Sequence, residues 1–205
     1  MHPILVAGTD SWKGKNDNDW FCPGHQFGQF LADQGVAPIY DDGPRPFIWS
    51  TDLDGVPGVA SGTRDWAAGG AALSYFVRLY LRMPGFRTAL IVHSHGLQVA
   101  AFAAAEHDLK IQTLISMGSP IRQDLGAQYK ALRANTQYWL HVHSDNTDRF
   151  QILGELFDGH VGIVREAPLA DKNDFVAKVG HSELLRDKAQ YHHWVERGWL
   201  SQLKG

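Results

Sequence analysis

A serine hydroxyl attacks a carbonyl at neutral pH only when a base stands beside it, and imidazole has the pKa suited to that task. One serine of this chain sits in a context that fits such chemistry. Thr88-Ala89-Leu90-Ile91-Val92-His93-Ser94-His95-Gly96-Leu97 runs from an apolar, β-rich stretch through Ser94 into a segment of small residues that reads as a helix. A serine at a sharp strand-to-helix turn is lifted above the sheet, and its neighbours must be small to avoid clashes. Gly96 meets that need, whereas Val92 stands where the G-x-S-x-G pattern has its first glycine and weakens the match. A helix beginning behind Ser94 would aim N–H groups and partial positive charge at a developing oxyanion, the N–H of His95 foremost.

Two more groups complete the pattern. His181, in Gly180-His181-Ser182, follows the last apolar run, and Asp145 and Asp148 both follow the run ending His141-Val142-His143. Serine, acid and histidine thus each fall after a different expected strand, in the order Ser…Asp…His. Either aspartate would orient the imidazole and stabilise its charged form. His93 and His95 flank Ser94, but adjacent side chains diverge, so His93 is expected beneath the turn and His95 along the cleft. His141 and His143 alternate on one strand and share a face. No carboxylate or third ligand joins them at diagnostic spacing, and no metal is expected there. Cys22 with His25 shows no strand–helix elbow, so a thiol nucleophile is not expected. Trp12, Trp20, Phe21 and Trp49 lie in loops bordering the same edge. Trp12 and Trp49 are the candidates for an apolar acyl or aryl pocket, the alternative being that these rings only pack the loops down. Trp66, Trp194 and Trp199 lie in helical segments and read as core.

The elements that must position these groups read as an alternation. Six apolar, β-branched segments look like buried parallel strands: Pro3–Gly8, Pro46–Ser50, Thr88–His93, Gln112–Met117, Tyr138–His143 and Asp174–Val179. Helices are expected over Gln26–Gln34, Arg64–Arg82, His95–Glu106, Gln123–Ala134 and Ser182–Leu203. Strands alternating with helices predict an α/β fold, a mostly parallel, doubly wound sheet of about six strands with helices on both faces. Right-handed crossovers place the strand C-termini along one edge, where such folds do their chemistry. No repeat or linker interrupts the chain, which reads as a single domain over residues 1–205. The irregular stretches Thr9–Gly24 and Tyr40–Thr63 are long, and long connections are often functional.

Composition narrows the classes further. The 205 residues are 44% hydrophobic and 20% charged, an ordinary globular balance. A net charge of −3 offers no basic field for a phosphate backbone, so no nucleic-acid partner is expected. One cysteine excludes an internal disulfide and a multi-cysteine zinc site. No apolar run approaches the ~20 residues of a membrane span. Met1-His2-Pro3-Ile4-Leu5-Val6 runs straight into a strand without a basic leader, which reads as a cytoplasmic protein by default. A signal already removed, or release by cell lysis, would look the same.

With these residues in view, the sequence resembles the α/β-hydrolase superfamily, particularly its lipases and esterases. Val92-His93-Ser94-His95-Gly96 resembles their elbow. Ile4-Leu5-Val6-Ala7-Gly8-Thr9 resembles the strand and loop that give the second oxyanion N–H, with Ala7 where many members have histidine. That likeness assigns the second donor to Thr9, with Asp10 the alternative register. Ile115-Ser116-Met117-Gly118-Ser119-Pro120 resembles the next strand and its tip, and Asp148-Arg149-Phe150-Gln151 resembles the acid motif, which favours Asp148 over Asp145. The resemblance implies a minimal six-stranded core. It also implies hydrolysis of a small-molecule or lipid-like carboxylic ester through an acyl-enzyme, with Ser94, Asp148 and His181 as triad and no cofactor. The same machinery suits thioesters, amides or acyl transfer. A non-catalytic binding module on this scaffold, suggested by Val92 and Ala7, and a metal-dependent hydrolase using the histidines are the competing classes.

Overall fold

The computed structural model describes residues 1–8, 19–40, 47, 49, 63–144, 163–164 and 166–204. Five strands form one parallel sheet in the spatial order β1 (His2–Val6), β2 (Thr88–His93), β3 (Ile111–Met117), β5 (Thr136–Ser144) and β7 (Lys172–Val176). A short antiparallel pair, β4 (Ile121–Arg122) with β6 (Ile163–Val164), lies outside it.

Alternation along the strands divides the core in two, because successive side chains leave opposite faces. Ile4, Val6, Leu90, Val92, Leu114 and Trp139 join one cluster with α2 (Thr63–Tyr80), α3 (Gly96–His107) and α4 (Gly126–Asn135). Leu5, Ala89, Ile91, Ile115, Leu140 and Val142 join the other with α1 (Gln26–Asp33) and the C-terminal turns. Helices therefore cover both faces. β2 is buried at all of its positions, which is why it reads as an unbroken apolar run rather than an alternating one. α3 is buried from Gly96 through Ala104 and packs against both the sheet and α2. Its small residues let α2 come close. A Cβ at Gly70 would lie 2.7 Å from the Ala103 nitrogen, so any side chain there would force the helices apart.

Three expectations need correction. The strand expected at Pro46–Ser50 is not seen among the described residues. Phe47 and Trp49 lie outside any strand, both buried in the α2/α3 cluster, and the rest of that stretch lies outside the described residues. The outer flank of β1 is met by Ile39, through a single parallel bridge to Ile4, and among the described residues the sheet has five strands. The strand expected at Asp174–Val179 starts and ends earlier, leaving residues 177–181 as a loop. The single helix expected over Ser182–Leu203 is a chain of short turns: Glu183–Arg186, Lys188–Gln190, His192–Glu196 and Trp199–Leu203. Asp187 is extended and accepts the Ala189 N–H at 2.9 Å, and Gly198 takes a left-handed φ of 72°. These breaks let Tyr191, Trp194, Trp199 and Leu203 all reach one core, which a straight helix at this spacing could not do. Their polar atoms are satisfied there: Tyr191 Oη donates to the Leu185 carbonyl, Trp194 Nε1 to Leu184 and Trp199 Nε1 to Asp174. Among the described residues no helix is long and apolar enough to cross a membrane.

Candidate active site

Ser94 follows the last residue of β2 and precedes α3, with His95 as the residue capping the helix start. Its φ is +51°, in the left-handed region. That conformation costs a non-glycine residue about 1–2 kcal/mol and persists only where the surroundings hold it. They do so here: the Ser94 N–H donates to the Met117 carbonyl of β3 at 3.1 Å, and the Ser94 carbonyl accepts the Leu97 N–H. Two glycines make the room. A Cβ at Gly8, just past β1, would sit 2.8 Å from the Ser94 Cβ, and one at Gly96 would sit 2.6 Å from the Val6 carbonyl oxygen. Val92, by contrast, is buried in the sheet interior, paired with Val6 and Ser116, and touches the first core cluster. The clearance that the motif obtains from its first glycine comes in this chain from Gly8 on the neighbouring strand. Ser94 and His95 are both half-buried and so open to a ligand.

His181 arrives at the same edge on the loop after β7. Gly118, at the tip of β3 with φ +56°, admits it: a Cβ there would lie 3.0 Å from the His181 carbonyl oxygen and 3.3 Å from its Nδ1. The loop is pinned below by Glu183, whose carboxylate accepts the Gly180 N–H at 2.8 Å. It is also held from beneath by His93. The His93 Nε2 lies 3.0 Å from the His181 carbonyl oxygen and 3.3 Å from Ser182 Oγ, and its ring meets the His181 ring at 4.5 Å between centroids. A carbonyl can only accept, so Nε2 carries the proton. Burial first, then the neighbouring His181, push the His93 pKa well below the ordinary imidazole value, which keeps it neutral and able to serve as this strut. Trp20 closes the pocket around His93 edge-on at 6.1 Å. Among the described residues no hydrogen bond joins the Ser94 hydroxyl to the His181 ring. Such bonds are often long before substrate closes a site.

The remaining candidates fall as follows. His95 leans on Trp66 at 5.4 Å, and the buried Arg122 guanidinium lies over that same indole at 4.9 Å while pairing with Asp124 at 2.6 Å. Trp49 is buried, and its indole N–H donates to the Ala7 carbonyl at 2.7 Å, tying down the loop between β1 and Gly8. Gln98 of α3 donates to the Pro120 carbonyl at 2.8 Å and fixes the tip of β3. His141 is fully buried, with Nδ1 2.8 Å from Ser116 Oγ, and stacks on His143. Cys22 is buried, and His25 caps α1. Thr9, Asp10, Trp12, Asp145 and Asp148 lie outside the described residues.

Ser94, His95 and His181 are thus gathered at the C-terminal edge of the sheet, where β5 also ends, at Ser144. Sequence reasoning missed Gly8, Gly118 and the role of His93. The two glycines carry a signal, each directly after an apolar run, but only contact with a second element gives it meaning.

The architecture is the α/β-hydrolase fold. The mature lipase BlEst2 of Bacillus licheniformis superposes with a TM-score of 0.55 at 15% identity, over 96% of this chain and 91% of that one. Est1E from Butyrivibrio proteoclasticus gives 0.53 at 14% identity over 100% and 90%. The methylesterase MES16 from Arabidopsis gives 0.52 at 13% identity over 97% and 98%. No protein-family model matches the chain, and no curated protein sequence does.

Proposed function

We propose that the protein is a serine hydrolase acting on carboxylic esters, with Ser94 as nucleophile, His181 as general base and Asp148 as the acid that orients it. The observation that carries this reading is the strained Ser94 turn, φ +51°, cleared by Gly8 and Gly96 and placed beside the Gly118 gap that receives His181. Strain held at a half-exposed hydroxyl has no use in packing and suits a nucleophile. In the proposed reaction Ser94 Oγ attacks the ester carbonyl as its proton passes to His181. The N–H groups of His95 and Thr9 stabilise the oxyanion. His181 then protonates the departing alcohol and deprotonates the water that releases the acid. Neighbours named lipase and methylesterase agree with this substrate class. The test is labelling with a fluorophosphonate probe, followed by peptide mapping. Modification confined to Ser94, and lost in His181→Ala, is the expected result. A folded protein that resists the probe would show a binding module instead.

A further inference from the structure

The turn His192–Glu196 carries a cluster that the hydrolase reading does not use. On a helix with ~100° between residues, Glu196 projects between His192 and His193, about 40° past the first and 60° short of the second. One ligand atom from each of the three residues lies within 4.8 Å of the others, and the two imidazole rings meet at 4.0 Å between centroids. We infer that His192, His193 and Glu196 form a binding site for one divalent transition-metal ion of the zinc type.

Two features prepare the site. His192 Nδ1 lies 2.8 Å from the Ala189 carbonyl oxygen, so Nδ1 carries the proton and Nε2 keeps its lone pair for a ligand. Metal-bound histidines are typically oriented by such a second bond. Arg197, whose charge reaches His193, is drawn away by the Asp174 carboxylate at 2.7 Å and the Phe175 carbonyl at 3.0 Å. A zinc ion needs ligand atoms about 3.3 Å apart, given bond lengths of ~2.0 Å. Glu196 is exposed, so rotating its side chain closes the gap at little packing cost while His192 keeps its bond to Ala189. Two imidazoles select a borderline ion over the oxygen-seeking Mg²⁺ and Ca²⁺. Water fills the fourth position.

The experiment is calorimetric titration of ZnCl2 into the full chain, stripped with EDTA and carrying no polyhistidine tag, with MgCl2 as the control. One equivalent of Zn²⁺ with micromolar affinity, no heat from Mg²⁺ and a rise in Tm with Zn²⁺ are expected. His192→Ala and Glu196→Gln each weaken binding at least about tenfold, as loss of one of three ligands requires. Both side chains are exposed, so the variants fold, and circular dichroism verifies this. Absence of saturable micromolar binding overturns the inference, as does equal affinity in the double variant, which would place the ion elsewhere. Neither result bears on Ser94.

Discussion

Ser94 leaves a strand buried at every position, whereas His181 follows a strand of which only Val176 is buried. The Ser94 turn is specified mainly within one stretch of chain, by an apolar run, a positive φ and a helix of small residues, and takes only its clearance at Gly8 and its bond to the Met117 carbonyl from elsewhere. The arm bearing His181 is held by two groups from elsewhere, the gap at Gly118 and the His93 strut on β2, and by one local contact, the capping carboxylate of Glu183. Ser94, the proposed nucleophile, is therefore set largely by the backbone of one β–α unit, and His181, the proposed base, largely by tertiary contacts, one of which spans nearly ninety positions of sequence. Damage to the first should remove the chemistry and spare the fold. Damage to the second should misplace a group that is still present.

Ser94→Ala carries the largest expected effect. It deletes one half-exposed hydroxyl, so Tm should hardly move, while ester turnover falls by at least about 10³-fold. Measured p-nitrophenyl ester hydrolysis within tenfold of wild type, in a folded variant, would break the comparison at its root. Next comes the acid. Asp148→Asn should lower kcat by about 10²–10⁴-fold through the wrong imidazole tautomer, and Asp145→Asn far less. The opposite ranking would move the acid to Asp145 and leave the elbow as described.

Smaller effects separate arm from elbow. Gly118→Ala adds a Cβ 3.0 Å from the His181 carbonyl oxygen at a φ of +56°, with strain of about 1–2 kcal/mol. It should reduce kcat about ten- to a hundredfold with KM little changed, since displacement by an ångström can cost that much. Gly126→Ala is the matched control, because a Cβ there meets nothing within 4 Å on an ordinary helical φ of −57°. Equal kcat in both variants would show that the arm tolerates displacement.

The smallest effect concerns acid stability. His93 is neutral in the fold because burial lowers its pKa, while the unfolded chain takes up the proton near the ordinary value of ~6.5. The unfolded state then binds more protons than the native state below that pH, so stability falls as pH drops beneath about 6.5. One such group contributes at most about 1.4 kcal/mol per pH unit. His93→Gln keeps a donor toward the His181 carbonyl and removes the titration. Urea unfolding at pH 7.5 and 5.5 should show a shallower loss in His93→Gln, and an unchanged slope would mean that His25 or His193, also lowered by burial, dominates.

Much of this molecule is legible before any tertiary contact is known. The bounds of β2 follow from six consecutive apolar or β-favouring residues, those of α3 from a run of small residues, and the elbow from their junction at Ser94. Period-two burial and the alternation of elements suffice for a doubly wound parallel sheet, because water and hydrogen bonding allow few other ways to hide such strands. What folding alone decided is the meaning of residues whose partners are distant. Val92 looks like a defect until Gly8 is seen to give the clearance. His93 reads only as a side chain packed beneath the turn until its ring meets the His181 loop. Residues 182–203 look like one helix until Tyr191, Trp194 and Trp199 are seen to share a core that an unbroken helix could not reach. Local pattern encodes backbone preference and which face is apolar, while clearance, support and breaks in a helix depend on atoms brought close by the rest of the chain.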